Sequence, residues 1–376
     1  MQVVAGLSLK NLQPRVWDTH SPYFLEDLTA LMVSYADFRQ MPGRRRAAMR
    51  SGLREYLHAP DHVSVFLDNG AFHFASKGGE PNADEYRRFV QKARPDRRPV
   101  RFDAIPAPNM SWQRQAACFR RTMNINRSYH ADGYVPVVHA GRYLARYLQA
   151  VDASPRLAAK ECIALGALVP NLLRSPNAPT YSSILDDLIS VRERFPRRRI
   201  HVFGIGGTAT LHLAALLGYD SVDSSGWRNR AARGIIQLQG SGERIVANLG
   251  NWRGRGPSRD EWVQLRDCGC PACRHFGAKG LRAGGIEGFS HCATHNLWIL
   301  LQESEWVSER LARGTYERCY RQRLDNTVYL PLITELLKRL KARSGSREWL
   351  GLPDRGRRAS LSCPADPRAM ETKALC

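Results

Sequence analysis

The feature that most constrains the fold is a repeated pairing of a short apolar segment with a stretch compatible with a helix. The apolar segments lie at 31–37, 62–68, 100–105, 134–140, 161–167, 200–206, 219–223 and 244–250. Continuous apolar segments without clean alternation are typical of strands buried on both faces. Strands that alternate with helices predict βαβ units and a parallel sheet. Eight units within about 220 residues favour an α/β fold, a (β/α)₈ TIM barrel.

The remaining segments flank this predicted barrel. We expect residues 1–30 to form an N-terminal extension and 31–341 to form the barrel, with a subdomain at about 251–312 inserted after the last strand. The segment 342–376 is rich in Ser, Gly, Pro and Arg, which predicts a disordered basic tail.

The charge indicates the kind of partner. The chain has 56 Lys and Arg against 35 Asp and Glu, for a formal net charge of +21. This balance favours a polyanionic partner, most often nucleic acid. The alternatives are a solvated basic face or a genome that favours arginine. No run of eighteen apolar residues and no signal-peptide pattern occurs, so we expect no membrane span. Nine cysteines that do not form a secreted disulfide pattern predict a reducing cytoplasm.

One cysteine cluster predicts a metal site. Cys268, Cys270 and Cys273 form the pattern C-x-C-x₂-C, and His291, Cys292 or His295 could supply the fourth ligand. Thiolates with one imidazole favour tetrahedral Zn²⁺, and four protein ligands would make the zinc structural. The alternative is a set of three free cysteines in a glycine-rich loop.

Several polar residues and glycines end the apolar segments: Asp68, Asp103, His139, Gly166 and Asp223. In a barrel the catalytic groups lie at the C-terminal ends of the strands. Two carboxylates at one barrel mouth permit a nucleophile and an acid/base partner, which is the chemistry of a retaining glycosyl exchange. Taken singly, each aspartate could be a capping or turn residue.

A glycine-rich turn offers a different interpretation. Gly204, Gly206 and Ala209 satisfy G-x-G-x-x-G/A after an apolar segment. This pattern predicts a dinucleotide-binding turn and hence an oxidoreductase, but it falls in the sixth unit rather than the first. Such a turn can equally bind a phosphate or pack closely under a base.

Together these motifs resemble the tRNA-guanine transglycosylase superfamily. That family is a (β/α)₈ barrel with a zinc-binding insertion after the last strand. Its cysteine pattern and following His-Asn pair are similar to Cys268, Cys270, Cys273 and His295 with Asn296, which makes His295 the expected fourth ligand. Its D-S-G-G-F motif is similar to the segment at 68–72.

The resemblance implies roles for the site residues. Asp223 would be the nucleophile and Asp68 the general acid/base, while Asp103 would recognise the base. His139 and Gly166 would meet O6 or the 7-substituent of the base. Gly206 and Arg228 are also expected at the substrate: Gly206 lies in the glycine-rich turn, and Arg228 in the Arg-rich turn that follows the nucleophile.

Departures from the family pattern resemble its DNA-modifying branch. The usual "VQGG" is "VVHAG" around His139, and the usual "GGL" is "GAL" after Gly166. That branch implies exchange of guanine in DNA for a 7-deazaguanine such as preQ0, with an ATPase partner. Family members often dimerise through the zinc region, which implies a homodimer. Two further hypotheses remain: a transglycosylase that acts on tRNA, and a zinc-containing nucleic-acid-binding protein without catalysis.

Overall fold

The structure is a computed structural model that describes residues 1–343 apart from 78–81, 100–101, 129–132, 173–174, 248 and 250–253. The strands are β1 Gln2–Gly6, β2 Ala30–Ser34, β3 Ser64–Asp68, β4 Arg98–Pro99, β5 Tyr134–Val135, β6 Val137–His139, β7 Cys162–Gly166, β8 Arg199–Val202, β9 Ser221–Ser224, β10 Ile235–Leu238 and β11 Gly242–Ile245. The first nine helices are α1 Tyr35–Gln40, α2 Pro42–Ser51, α3 Leu53–Leu57, α4 Ala71–Lys77, α5 Ala83–Ala93, α6 Trp112–Ser128, α7 Leu144–Asp152, α8 Pro155–Ala158 and α9 Val169–Leu172. The other nine are α10 Tyr181–Arg194, α11 Leu211–Leu216, α12 Gly226–Ala231, α13 Arg259–Arg266, α14 Pro271–Gly280, α15 Gly285–Ala312, α16 Tyr316–Cys319, α17 Arg321–Leu324 and α18 Leu330–Ala342.

A parallel sheet forms the centre of the fold. Its seven strands run in the order β3-β2-β1-β9-β8-β7-β6. Helices follow the strands along the chain, which is the βαβ arrangement that the apolar segments predicted. The described residues therefore form a mixed α/β fold with a curled parallel sheet, which confirms the predicted fold class.

Two short strands connect the outer edges of this sheet. The backbone N–H of Leu67 in β3 donates to Arg97 O at 2.8 Å, just before β4. β4 pairs with β5 in parallel, and β5 continues into β6 after Pro136. Pro136 has no N–H to donate, which interrupts the strand, but its carbonyl accepts from Ala164 N at 2.8 Å. When β5 and β6 are counted as one interrupted strand, β4 is the eighth strand, and these bonds close the sheet into a barrel-like ring.

The eight strands are not the eight apolar segments. Segment 244–250 was expected to be the last barrel strand, and this is wrong: β10 and β11 pair antiparallel as a hairpin. Gly240 and Gly242, both with positive φ, turn the chain back between them. The missing strand is β1, which lies before the expected first strand and pairs in parallel with both β2 and β9.

The side chains of the strands alternate between two sides of the sheet. Val4, Ala30 and Met32 are buried in one small cluster against Phe66 and Phe203. Their neighbours along the strands, such as Ala5 and Leu31, belong to the larger core that the helices cover. This separation is expected for a barrel, whose interior is filled by alternate residues of each strand.

Side-chain caps set where several helices begin. Asn82 accepts from the backbone N–H groups of Asp84 and Glu85 at the start of α5. Ser258 and Glu261 form a reciprocal capping box at the start of α13. Such caps satisfy N–H groups that have no partner inside the helix. No helix within the described ranges is both long and apolar enough to cross a membrane. The predicted tail lies almost wholly outside the described residues.

The place of β1 in the sheet leads to a stability prediction. Val4 is fully buried, whereas Gln2 on the same strand is partly exposed. Val4→Ala should lower the free energy of unfolding by about 2 kcal/mol, since the lost methyl groups leave a cavity between paired strands. Urea unfolding followed by circular dichroism measures this, with Gln2→Ala as the control. Equal midpoints for both variants would contradict the placement of β1 in the core.

Candidate active site

The C-terminal ends of the parallel strands surround a cavity of about 1050 Å³. Six of the seven residues that the sequence predicted at the catalytic and substrate site line it: Asp68, Asp103, His139, Gly166, Gly206 and Asp223. They come from β3, the segment after β4, β6, β7, the loop after β8, and β9. Parallel strands present their carboxyl ends at one edge, which is why residues so far apart in sequence meet here.

Asp68 is the last residue of β3. Its Oδ2 accepts hydrogen bonds from Ser34 Oγ and Gly70 N, both at 2.9 Å. Gly70 has φ +82°, and an added Cβ would lie 2.8 Å from the Ala36 Cβ, so this turn requires glycine. The pKa of Asp68 is raised to about 6, mainly by desolvation; the charge of Asp103 adds to this increase, and the hydrogen bonds from Ser34 and Gly70 counteract part of it.

Asp223 lies in β9, three strands away from β3 in the sheet. Its Oδ1 accepts from Gly204 N, at 2.6 Å. The carboxyl keeps 18% of its exposure but is enclosed by the cavity wall. Desolvation raises its pKa to about 7, and the negative charge of Asp68 contributes in the same direction. The two carboxyls therefore share one site and oppose each other's ionisation.

The turn after β8 is built around the backbone of Asp223. Gly206 N donates to Asp223 O at 3.0 Å. An added Cβ on Gly206 would lie 2.4 Å from that oxygen, so only glycine allows this approach. Gly204 has φ +76°, and its added Cβ would lie 2.2 Å from Val169 Cγ2. The glycine pattern thus positions the carboxylate, and this geometry gives the dinucleotide interpretation no support.

Asp103 and His139 form a buried polar pair in the cavity. Asp103 Oδ1 accepts from Asn69 Nδ2 at 2.7 Å, and Oδ2 lies 3.1 Å from His139 Nε2. Gly166 lies against the ring: an added Cβ would be 3.0 Å from His139 Nδ1. A carboxylate held in this way can accept two parallel N–H donors of a planar ligand.

Arg228 is the predicted site residue that does not line the cavity. Its guanidinium donates to Gln13 O at 2.7 Å and to Asn11 O at 2.6 Å, and it stacks over the Trp227 and Phe289 rings. Arg228 therefore anchors the loop after β1 to α12, while its neighbours Asn229 and Arg230 line the cavity.

The predicted metal ligands come together. The ligand atoms of Cys268, Cys270, Cys273 and His295 all lie within 4.8 Å of one another. Nδ1 of His295 is 3.4 to 3.6 Å from the three sulfurs. Ligands around a tetrahedral Zn²⁺ would have N···S separations of roughly 3.6 Å. The group therefore fits one four-coordinate metal ion, although its geometry does not identify the element.

The two other residues considered as the fourth ligand have different partners. His291 Nδ1 lies 2.8 Å from Gly280 O, and the Cys292 thiol donates to Leu281 O. His295 Nε2 lies 2.9 Å from Gln237 O, a donor position that leaves the Nδ1 lone pair free for a metal.

His295 and Asn296 also attach β10 to helix α15. Asn296 accepts from Gln237 N at 2.8 Å and donates to Ile235 O and Trp227 O. The Gln237 side chain lines the cavity and donates to Thr208 Oγ1 at 3.1 Å, in the turn after β8. A chain of direct contacts therefore runs from the metal group to the cavity wall.

Sequence patterns missed three residues of the site. Ser34 binds Asp68, Gln237 binds the turn after β8, and His201 lies with Nε2 3.7 Å from Asp223 Oδ1. Ser34 and His201 occupy strand positions whose register places them beside a carboxylate. That register is a property of strand pairing. Ser34 lies in the middle of the apolar segment 31–37, so no local pattern marked it as a site residue.

The metal group generates a prediction with a matched control. Cys270→Ser should reduce bound metal from about one ion per chain to a small fraction, and it should lower the unfolding free energy by several kcal/mol, because metal binding contributes to folding. Cys292→Ala, at a buried cysteine outside the group, should retain the metal. Elemental mass spectrometry and thermal unfolding measure both. Equal metal content in the two variants would contradict the ligand set.

The raised carboxyl pKa values predict how stability depends on pH. A raised pKa means that the folded protein binds the proton more tightly than the unfolded chain, so Asp223 stabilises the fold at low pH. This contribution is lost as pH rises through about 7. From pH 4 to pH 8, the unfolding free energy of Asp223→Asn should therefore increase relative to that of the wild type by on the order of 2–4 kcal/mol. Urea unfolding across that range measures it, with the exposed Asp61→Asn as control; parallel curves for all three proteins would refute it.

Comparisons with known proteins identify the family of the chain. The family model described as queuine tRNA-ribosyltransferase matches residues 31–328. A tRNA-guanine(15) transglycosylase of Pyrococcus abyssi is 26% identical over 184 residues, 48% of this chain and 27% of that protein. The tRNA-guanine(15) transglycosylase of Thermococcus kodakarensis is 27% identical over 161 residues, 42% of this chain and 24% of that protein.

The alignments cover about a quarter of the length of these relatives. The match to the family model is broader, because it extends from β2 to the segment before α18 and includes the carboxylates and the metal group. It confirms the resemblance that the motifs indicated, and this chain belongs to the queuine tRNA-ribosyltransferase family.

Proposed function

We propose that the protein is a pentosyltransferase that exchanges guanine in a nucleic acid for another base, through a covalent aspartyl intermediate. The observation that carries the proposal is the pair of carboxyls, Asp68 and Asp223, at the mouth of one cavity. A glycosyl exchange that retains configuration needs two such groups, one to attack and one to move a proton. Membership of the family supports the same reaction class.

Asp223 is the proposed nucleophile. Gly204 N–H holds its Oδ1, which leaves Oδ2 as the oxygen proposed to attack C1′ of the nucleoside. The C1′–N9 bond breaks, and guanine leaves with its electron pair. Asp68 supplies a proton to the departing base and accepts the N9 proton of the incoming base. The ester to Asp223 then breaks as N9 of the new base attacks C1′.

Asp103 is the proposed base-recognition residue. Its carboxylate is held by Asn69 on one oxygen and lies beside His139 on the other. An ionised carboxylate accepts from N1–H and the exocyclic amine of guanine, which are parallel donors on one edge. We propose that His139 and the Gly166 backbone meet O6 or the 7-substituent. Gly206 lines the cavity beside the proposed nucleophile, and Arg228 holds the turn that carries Arg230.

We propose DNA as the nucleic acid and a 7-deazaguanine such as preQ0 as the incoming base. The support for DNA is the resemblance of "VVHAG" and "GAL" to the DNA-modifying branch, and the net charge of +21 supports a nucleic acid of either kind. The relatives are named for tRNA, which favours the alternative substrate. The target base must leave the stack to reach the cavity, which costs a few kcal/mol in a duplex and gives an ATPase partner a reason to act.

The metal is proposed to be structural zinc. Three cysteines and one histidine fill a tetrahedral shell and leave no position for substrate. When bound, the ion would fix the geometry of α15 and β10 and supply no reaction step. A homodimer through the metal-bearing region and a cytoplasmic location complete the proposal. The third hypothesis, a nucleic-acid-binding protein without catalysis, leaves the two desolvated carboxyls unexplained.

Base exchange with labelled guanine and labelled preQ0 tests the reaction. Label should enter plasmid DNA with the wild type, and Asp223→Ala should reduce the rate at least 10³-fold, since the nucleophile is absent. The wild-type rate should be bell-shaped in pH, with its maximum between about pH 6 and pH 7, because Asp223 must be ionised while Asp68 keeps its proton. Bulk tRNA is the parallel substrate, and Asp61→Asn is the control.

Each outcome separates the hypotheses. Label in tRNA alone would establish the reaction and reject the DNA proposal. Label in neither substrate, after addition of cell extract to supply a partner, would reject the transglycosylase and favour the non-catalytic hypothesis. Incorporation by Asp223→Ala at the wild-type rate would reject the nucleophile.

A further inference from the structure

A buried histidine that the proposed mechanism does not use lies beside the nucleophile. His201 in β8 pairs in register with Ser221 in β9, and Asp223 follows two residues later on the same side of the strand. His201 Nδ1 lies 2.9 Å from Ser221 Oγ, and Nε2 lies 3.7 Å from Asp223 Oδ1. The ring contacts the Phe66 and Phe203 rings, at centroid distances of 5.8 and 4.7 Å.

The Nε2 atom of His201 is buried, and it has no hydrogen-bond partner among the described residues. A buried polar atom without a partner costs free energy and calls for an explanation. The hydrogen bond at the other nitrogen decides what Nε2 can do. When the Ser221 hydroxyl donates to Nδ1, the ring proton resides on Nε2, which then faces the carboxylate as a donor.

We propose that His201, oriented by Ser221, is a positioning residue for Asp223: its Nε2–H donates to Oδ1 of the ionised carboxylate and keeps Oδ2 as the attacking oxygen. The assignment of a role in catalysis rests on the proposed function. The hydrogen bond itself does not, because it is a property of the free protein. A shift of less than 1 Å brings the two atoms from 3.7 Å to hydrogen-bond distance.

The electrostatics of the site explain why such a donor is useful. In the free protein the pKa of Asp223, about 7, exceeds that of Asp68, about 6, although the nucleophile must be ionised and its partner protonated. A donor to Asp223 lowers its pKa relative to that of Asp68. Burial lowers the pKa of His201 to about 4, so the neutral ring donates without adding a charge.

The other ionisable groups at the cavity do not duplicate this contact. Asp68 faces Asp223 from β3 and disfavours its ionisation. Asp103 lies beside His139, and the other charged residues on the wall are in ion pairs: Arg230 with Glu243, and Arg323 with Glu303. His201 is a neutral side chain whose Nε2 lies 3.7 Å from Asp223 Oδ1, and Gly204 N–H is the backbone donor on the same oxygen.

A matched pair of substitutions tests the hydrogen bond. In His201→Gln the amide nitrogen can replace Nε2, whereas in His201→Asn the shorter amide reaches only the Ser221 side. Carbon-13 NMR of aspartate carboxyls, with the Asp223 signal assigned through Asp223→Asn, measures the pKa directly. His201→Asn should raise the Asp223 pKa by about one unit, and His201→Gln should recover most of that shift. Ser221→Ala, a small change that frees the tautomer, should shift the pKa in the same direction.

Exchange kinetics provide the second measurement. The acidic limb of kcat/KM should move up with the NMR pKa in His201→Asn, which gives about a tenfold loss at pH 6 and a smaller loss at pH 9. An Asp223 pKa that is unchanged or lowered in His201→Asn and Ser221→Ala would overturn the proposal. A shifted pKa in a protein that exchanges no base would instead reject the proposed function and leave the hydrogen bond established.

Discussion

The hydrogen bonds that α15 makes to the backbone of Gln237 hold the metal group and the cavity in one structure. His295 and Asn296, adjacent on the helix, engage the carbonyl and the N–H of this single residue. The same Gln237 side chain reaches Thr208 in the turn that positions Asp223. A four-coordinate metal at His295 would therefore stiffen the wall of the cavity without taking part in the reaction. Its contribution to activity would be geometric.

The second constraint is the alternation of side chains in a parallel sheet. Ser221 and Asp223 face the interior because they are two residues apart, and Val222 between them packs outward in the main core. Apolar neighbours such as Phe66 and Phe203 then remove water from the carboxyl. The same packing that stabilises the strands raises the pKa of the nucleophile, so the protein needs donors such as Gly204 N–H to favour its ionised form.

Local patterns predicted the parts of the structure that depend on local chemistry. The cysteine spacing identified the metal ligands, and polar residues at segment ends identified most of the cavity lining. Pairing across long sequence distances was not predictable in this way. β1 has five residues and is recognisable only by its partners β2 and β9, and the hairpin arm at Gly242–Ile245 looks like a barrel strand in isolation. The sequence predicted that Arg228 would contact the substrate. Its guanidinium instead donates to backbone carbonyls of a loop more than two hundred residues away.

The cavity also limits where a choice between DNA and tRNA can be made. Guanine presents the same edge in both, so contacts from Asp103 and His139 to the base cannot distinguish them. The chemical difference nearest to the reaction is the 2′-hydroxyl, which is carried by C2′, the carbon bonded to the one that Asp223 is proposed to attack. Within the cavity, discrimination must therefore come from groups close to Asp223, such as Ser224 and Arg230 on the wall. Any further selectivity must come from the surface around the mouth, which contacts the strand and its phosphates outside the cavity.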